Sequence, residues 1–288
     1  MEFIFHIAVL AGIYVILAVT LNLVVGYTGL LSVAHASFFG IGAYTTALLT
    51  TKLGWNFFAT LPLSMLTAAL AATGIGLILS KFRDDYYALV SLGFNVIVFS
   101  VLLNWRGLTR GPLGVPGIPR PELFGVTLNQ SWQMLLLVAA IAVLVYFLAR
   151  FLTRSSFGRV LKAIREDELA IAVFGYRTQV YKLVIFVVSA GLAGVAGSLL
   201  ASYIRFIGPH AFDVFESVFI LAIIILGGLA NLRGSILGAI FLIALPEALR
   251  FLGFSPAIAA QMRQVIYGLL LMLLMLYRPQ GLLGKIKL

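Results

Sequence analysis

The residue types that most often carry chemistry are few in this sequence, and most of them stand far apart. Cysteine is absent, and His6, His35 and His210 are widely separated, so neither a thiolate site nor a pair of metal-binding histidines on one helix is available. Three successive carboxylates occupy residues 166–168, but basic residues surround them. This pattern favours a solvated acidic turn over acid–base catalysis.

Sequence motifs of common enzyme classes are also missing. The chain contains no G-x-x-x-x-G-K-[ST] phosphate-binding loop and no G-x-S-x-G nucleophile motif. Gly40 and Gly42 lack the third glycine of a dinucleotide-binding fingerprint. We therefore expect this chain to have no enzyme activity of its own, no cofactor and no metal site.

The composition requires a lipid environment for most of the chain. Of the 288 residues, 62% are hydrophobic and 10% are charged, whereas a soluble domain carries about 25% charged residues because its surface faces water. The mean hydropathy is +1.09, and no polar stretch is long enough to form a soluble domain. The net charge of +10 comes from basic residues between apolar runs, where they set membrane topology, so we expect no binding to nucleic acid.

The apolar runs predict an all-α, polytopic membrane protein with about nine transmembrane or re-entrant helices, since each span needs ~20 apolar residues. Two spans fit within residues 3–51, where no charge occurs and a turn is expected at Gly26, Thr28 and Gly29. The other predicted spans are residues 53–80, 86–105, 131–151, 183–204, 217–232, 234–246 and 264–277. Glycine and proline punctuate the last three, so one of them can be re-entrant.

Lysine and arginine determine the predicted orientation. With residues 150–182 and the C-terminus in the cytoplasm, 13 of the 20 basic residues lie inside, which is the expected bias. This orientation puts the N-terminus outside and makes residues 106–130 an extracytoplasmic segment. Residues 106–122 contain four prolines, which restrict the backbone, and glycines, which permit tight turns. We therefore expect that part to be ordered.

Two glycine patterns organise the helices. A glycine-rich elbow leads into an apolar run in each half, at residues 26–36 and 227–238. This weak similarity indicates a possible internal repeat, which is common in transport proteins. Gly191, Gly194 and Gly197 place small residues near one helix face. That spacing predicts close helix packing, with a hinge or sliding surface as the functional alternative.

Isolated polar side chains within the apolar runs are the candidates for a transport pathway. They are Asn22, His35, Asn95 and Asn104. A polar group at membrane depth is costly unless it finds a partner, so these residues either bond between helices or line the pathway. We expect no Asp, Glu, Lys or Arg in the middle of a long span, which argues against a carrier coupled to protons or ions.

The charged stretch at residues 150–182 contains one amphipathic segment. Apolar residues recur at broadly helical spacing between residues 159 and 174, and Gly175 is placed as a helix stop. The pattern predicts one short cytoplasmic helix. Such a helix either lies on the bilayer surface or docks into a groove of a partner.

Four passages give the sequence a specific resemblance. They are residues 21–32 (LNLVVGYTGLLS) with 35–44 (HASFFGIGAY), 108–119 (LTRGPLGVPGIP), 158–170 (GRVLKAIREDELA) and 278–284 (RPQGLLG). In these passages the chain resembles the permease subunits of ATP-binding-cassette (ABC) importers for branched-chain amino acids, of the LivM type. The passages extend over nearly the whole chain in the family's order.

The resemblance implies a set of partners. These are a second homologous permease subunit, two cytoplasmic ATP-binding subunits and an extracytoplasmic substrate-binding protein, with the lipid bilayer around the spans. Residues 168–175 resemble the family's coupling loop, which contacts an ATPase. The candidate residues for coupling are Arg165, Glu166, Asp167, Glu168, Leu169, Ala170, Val173 and Gly175. Ala172 stands where such loops often have a glutamate, which puts one particular contact in doubt.

The sequence therefore predicts one transmembrane permease domain over residues 1–288, with residues 106–130 outside and residues 152–182 forming a cytoplasmic coupling loop. The resemblance implies import of branched-chain amino acids across a bacterial or archaeal plasma (inner) membrane. The same fold also carries urea and other amino acids, so these stay open as substrates. A self-sufficient secondary carrier or channel is the alternative from another functional class.

Overall fold

The structure is a computed structural model, which describes residues 2–82, 84–123 and 125–250, together with 265, 268–269, 272, 276 and 280–283. Its long elements are α-helices. Those of the described residues are α1 (Glu2–Thr28), α2 (His35–Leu53), α3 (Phe57–Leu79), α4 (Asp84–Asn104), α5 (Arg106–Thr109), α6 (Ser131–Arg154), α7 (Ser156–Glu166), α8 (Glu168–Val173), α9 (Thr178–Ile204), α10 (Val214–Gly227) and α11 (Leu232–Arg250).

Six of the described segments are long and apolar enough to cross a membrane, by length and composition. They are α1, α3, α4, α6, α9 and residues Pro209–Gly227, which include α10. The chain is therefore a multi-pass membrane protein, and the prediction of an all-α fold is confirmed. Eight predicted spans each contain a helix, whereas the ninth, residues 264–277, lies mostly outside the described residues.

The helix ends follow from local backbone chemistry. Gly54 has a φ of +64°, the left-handed conformation that commonly ends a helix, and it terminates α2. Asn56 then caps α3, because its side-chain oxygen accepts a hydrogen bond from the backbone of Phe58 at 2.9 Å. The predicted third span at residues 53–80 therefore begins at Phe57 rather than at Leu53.

The core of the bundle forms around α1 and α9. Helix α1 is apolar on all sides, and almost every residue from Val9 onward is buried, as expected for a helix surrounded by others. Helix α9 packs closely on α2 and α3. A Cβ atom added at Gly42 would lie 2.1 Å from the carbonyl oxygen of Gly194, and one added at Gly197 would lie 2.0 Å from that of Phe39. Packing is therefore the role of these α9 glycines that the contacts support.

Residues 106–122 are folded, as the sequence predicts. Helix α5 and a 3-10 helix (Gly111–Leu113) lead into strand β1 (Val115–Pro116). Strand β1 pairs antiparallel with β4 (Phe206–Ile207), while β2 (Glu122–Leu123) pairs with β3 (Val126–Thr127). Strand β4 leads into a second 3-10 helix, Pro209–Phe212, which precedes α10. The side of the membrane on which this layer lies stays a prediction.

Candidate functional site

A non-helical segment, residues 29–34, separates α1 from α2 inside the helix bundle. Both backbone groups of Val33 in this segment are paired by side chains of α4. The Ser91 hydroxyl accepts from the backbone of Val33 at 2.9 Å, and the Asn95 amide nitrogen donates to the Val33 carbonyl at 3.0 Å. Non-helical backbone at membrane depth requires such partners, so α4 fixes the position of the break.

The start of α2 is held in the same way. Ser217 of α10 accepts from the backbone N–H of Ala36 at 2.9 Å and from the Asn95 amide at 2.6 Å. His35 is buried at the first position of α2, where its Nε2 lies 3.0 Å from the Thr20 hydroxyl of α1. Two predicted polar residues, His35 and Asn95, therefore meet at one site, the break before α2.

Asn22 bonds to a second irregular segment, the turn between α10 and α11. Its amide nitrogen donates to the Ser235 hydroxyl at 2.6 Å and contacts the carbonyls of Gly228 and Asn231 at 3.4 and 3.3 Å. Its amide oxygen accepts from the backbone of Ala230 at 2.9 Å. Asn22, one turn before the first glycine-rich elbow, thus joins α1 to the second elbow through one buried amide.

Asn104 does not belong to these clusters. It is exposed at the end of α4, and its side chain donates to the carbonyl of Ser100 one turn earlier, at 2.8 Å. The structure therefore separates the four predicted polar residues into two at the α2 break, one at the α10–α11 turn and one at a helix end.

One carboxyl group lies at the start of a membrane helix, a position that the expectation for the middle of long spans does not cover. Glu216 lies in the first turn of α10, inside the candidate span Pro209–Gly227, and accepts a 2.5 Å hydrogen bond from Tyr14. Tyr14 stands near the middle of α1. The sequence interpretation started this span at Ser217 and so placed Glu216 in a loop. Asp213 is the cap, since its carboxylate accepts from the backbone of Glu216 at 3.0 Å.

The charged segment between α6 and α9 consists of two helices, so the prediction of one continuous helix over residues 159–174 was wrong. Asp167 is extended, with φ −154° and ψ 101°, and separates α7 from α8. Its carboxylate accepts from the backbone of Ala170 at 3.0 Å, which caps α8. The connection between the membrane helices is also shorter than predicted, because α6 extends to Arg154 and α9 begins at Thr178.

Helix α7 uses its apolar side chains within this chain. Leu161 and Ile164 are buried against the bundle. The guanidinium of Arg165 donates to the carbonyl of Gly26 at the end of α1, and partial burial lowers the pKa of that guanidinium. The ammonium of Lys162 lies 5.5 Å from the ring centre of Tyr27. Arg165, predicted to contact a partner, therefore attaches α7 to α1.

Helix α8 presents its apolar side chains to the outside. Leu169 is 61% exposed, Val173 86% and Phe174 78%. The base of the helix is fixed, since Glu168 forms an ion pair with the buried Lys182 at 2.9 Å and accepts from Thr178 at 3.0 Å. A rigidly attached helix with an exposed apolar face is suited to docking against another protein.

The other predicted coupling residues surround this face. Glu166 and Asp167 are exposed, Ala170 is half-buried, and Gly175 has a φ of +89°, which suits its predicted place at the end of the helix. In the described ranges, no group of three His, Asp or Glu side chains could hold a metal ion. The arrangement offers apolar contacts and hydrogen bonds.

Comparison with known proteins identifies the family. Residues 3–275 match the family described as the permease component of the branched-chain amino acid transport system. The chain belongs to this family. The prediction made from the four sequence passages is thereby confirmed.

Relatives of this permease come from bacteria and archaea. It is 37% identical to the high-affinity branched-chain amino acid transport permease LivM of Escherichia coli (strain K12), over 96% of this chain and 69% of the relative. It is 24% identical to a probable LivM of Methanocaldococcus jannaschii, over 95% and 91%. It is 26% identical to the permease LivH of E. coli (strain K12), over 96% and 92%. No solved structure matches the chain.

Sequence reasoning missed the partners of the polar residues in this permease. Ser91, Ser217 and Glu216 hold the α2 break and the start of α10, but serine is common in membrane helices and gave no signal by itself. Glu216 carried a signal, because it follows Asp213 by three residues and precedes an apolar run, which is the pattern of a capped helix start.

Proposed function

We propose that this permease is the membrane subunit of an ATP-driven ABC importer for branched-chain amino acids. The observation that carries the proposal is the family match over residues 3–275, together with relatives that are named as permeases for these substrates.

The proposed importer contains four kinds of subunit. This chain, as one permease domain over residues 1–288, forms the translocation pathway with a second homologous permease. Two cytoplasmic ATP-binding subunits drive the cycle, and an extracytoplasmic binding protein delivers the substrate. The similarity of the chain to both LivM and LivH over most of its length supports pairing of two related permeases.

Helix α8 is the proposed contact with an ATP-binding subunit. Leu169, Val173 and Phe174 would insert into an apolar groove of the ATPase. Movement of that subunit would then reach the membrane helices by two routes. One is the ion pair between Glu168 and Lys182 of α9, and the other is the contact of α7 with the end of α1.

The folded segment of residues 106–122, together with strand β4, is the proposed docking surface for the binding protein. Residues 106–130 would lie outside a bacterial or archaeal plasma (inner) membrane, with residues 152–182 in the cytoplasm. The pairing of β1 with β4 supports a preformed surface, because it joins the segment after α4 to the segment after α9.

Glu216 is the observation that favours a second candidate, a secondary carrier coupled to an ion. A carboxyl group at membrane depth is what such a carrier needs. Here Tyr14 donates to it across a helix contact, which an ordinary packing role explains. Urea or other amino acids are alternative substrates for the ABC importer itself.

Co-purification separates the importer from the carrier. The tagged permease, solubilised from its native membrane in mild detergent, is expected to bring with it an ATP-binding subunit and a second permease. A homogeneous preparation of this chain alone, active in transport, would contradict the proposal.

A further inference from the structure

Three buried polar atoms stand out in or beside the first half of α2. Among the described residues, no group forms a hydrogen bond with the Asn95 amide oxygen, the Ser37 hydroxyl or the Tyr44 hydroxyl. Asn95 and Ser37 are fully buried, and Tyr44 is 3% exposed. Buried polar atoms almost always have partners, so each exception requires an explanation.

These atoms belong to one region of the bundle. Ser37, Gly40 and Tyr44 share a face of α2, because their spacing of three and seven residues matches the helical repeat. Asn95 reaches the start of the same helix, since its amide nitrogen donates to Ser217, which in turn accepts from the backbone of Ala36.

The ring of Phe212 covers this face. A Cβ atom added at Gly40 would lie 2.9 Å from the ring of Phe212, so the ring occupies the space that a side chain would take. Its centre lies 5.2 Å from that of Phe39 and 6.0 Å from that of Tyr44. Phe212 ends the 3-10 helix Pro209–Phe212, which leads directly into the Asp213 cap of α10.

We propose that this face of α2 is a binding site for a zwitterionic α-amino acid with an apolar side chain, which Phe212 closes in the conformation described. The site rests on the proposed transport function and assigns the substrate-contacting residues Ser37, Tyr44 and Asn95 within it. In this site the ring of Phe212 occupies the space that the apolar side chain of the substrate would take. That space lies against the rings of Phe39 and Tyr44 and the backbone of Gly40.

The available groups match the head group of an amino acid. Its ammonium has three donors and needs acceptors, which the Asn95 amide oxygen and the Ser37 hydroxyl supply. Its carboxylate needs donors, which the hydroxyls of Tyr44 and Ser37 supply. None of these groups carries a charge, so the site binds weakly enough for the substrate to leave, as conduction requires.

Access requires movement of the short 3-10 helix. The segments on both sides of this helix are fixed. The strand before it, β4, pairs with β1, and the residue after it, Asp213, caps α10. In the proposed open state, Phe212 withdraws together with α10 and exposes the face of α2 that carries Ser37, Gly40 and Tyr44. Ser217 of α10, which bonds to the Asn95 amide, moves with it. The substrate's head group then gives each of the three buried polar atoms a hydrogen bond.

The variants Ser37→Ala and Tyr44→Phe distinguish a structural role from a binding role. A structural role predicts loss of stability, whereas a binding role predicts loss of transport at unchanged stability. Each variant removes only an oxygen atom that forms no hydrogen bond with the described residues, so stability is expected to stay equal or to rise. Ser202→Ala is the matched control. Its hydroxyl is also buried without a partner in the described part of the chain, but it lies on α9, one turn beyond Ser198.

The measurement is the yield of transport, leucine imported per ATP hydrolysed, in proteoliposomes that contain the complete complex with leucine-loaded binding protein. We expect Ser37→Ala and Tyr44→Phe to assemble and hydrolyse ATP normally, while the yield falls about fivefold, the effect of one lost hydrogen bond. Ser202→Ala is expected to keep the full yield.

Two other outcomes would overturn the inference in different ways. An unchanged yield in Ser37→Ala and Tyr44→Phe, with ATP-driven uptake intact, would remove the site and leave the transport function standing. Absence of ATP-driven leucine uptake by the unmodified complex would overturn the proposed function and the site with it.

Discussion

Asn22 is a buried polar residue of a membrane helix whose amide nitrogen and amide oxygen both have partners. Both its amide nitrogen and its amide oxygen bond to the turn between α10 and α11. In addition, that turn meets the C-terminal part of the chain, where Asn231 donates to the carbonyl of Leu283 at 2.7 Å. Asn22 therefore positions backbone that has left the helical hydrogen-bonding pattern.

Replacing Asn22 by alanine is expected to destabilise the protein by about 1–3 kcal/mol, because it leaves the partly buried N–H of Ala230 and the buried hydroxyl of Ser235 without this partner. Thermal unfolding in detergent measures the effect. Asn104→Ala is the control, since Asn104 is exposed and bonds only to its own helix. Equal melting temperatures for the two variants would contradict the role given to Asn22.

At this scale the sequence predicted which residues matter but not how they pair. An asparagine in an apolar run is conspicuous, and Asn22 and Asn95 are indeed buried. Their partners are backbone groups about 210 and 60 positions away in the chain, at places where helices are interrupted. The spacing of apolar and polar residues within one segment does not indicate which distant residues will form such pairs.

At the scale of elements, the break between α7 and α8 separates two functions. Helix α7 buries its apolar residues against this chain, while α8 leaves them exposed. The spacing of apolar residues was continuous enough to predict one helix. Asp167 interrupts it because a carboxylate that caps the next helix competes with continuing the previous one.

Charges on the exposed face of α8 are expected to disrupt contact with the ATPase. Leu169→Asp and Val173→Asp would each place an unpaired charge in an apolar interface, which is costly. Recovery of the ATPase with the tagged permease, and leucine uptake in the same cells, should both fall more than about tenfold, the effect of 1.4 kcal/mol or more.

The matched control is Gln179→Asp, which adds the same charge at an exposed position in the first turn of α9. It is expected to leave ATPase recovery and uptake unchanged. Membrane insertion should survive in all three variants, because Leu169 and Val173 lie outside the candidate spans and Gln179 is exposed in the first turn of α9. If both α8 variants retain the ATPase and transport normally, α8 is only a surface helix.

At the scale of the whole molecule, the predicted orientation places residues 106–130 outside the membrane. Leu113 is 81% exposed in the ordered layer formed by residues 106–122. In intact cells, a thiol reagent that does not cross membranes should label the variant Leu113→Cys, because residue 113 is predicted to lie outside. The labelling reports on this position alone, since the native chain contains no cysteine. Labelling that requires permeabilised cells would reverse the predicted topology.

Hydrophobicity determined most of the architecture in advance. Long apolar runs cannot avoid the bilayer, so the helices α1, α3, α4, α6 and α9 followed from the sequence within a few residues. The residue at which α2 begins did not follow, because it depends on the side chains of Asn95 and Ser217, which bond to the backbone around that start. Tertiary hydrogen bonds, rather than local preference, decide that position.

The central claim, ATP-driven import, is tested most directly by reconstitution. Proteoliposomes would contain this permease, the second permease and the ATP-binding subunits, with radiolabelled leucine supplied on its binding protein. Leucine is predicted to accumulate only when ATP and all subunits are present, and dissipating proton and sodium gradients should not reduce it. Leucine accumulation by this chain alone, driven by an ion gradient without ATP, would contradict the account.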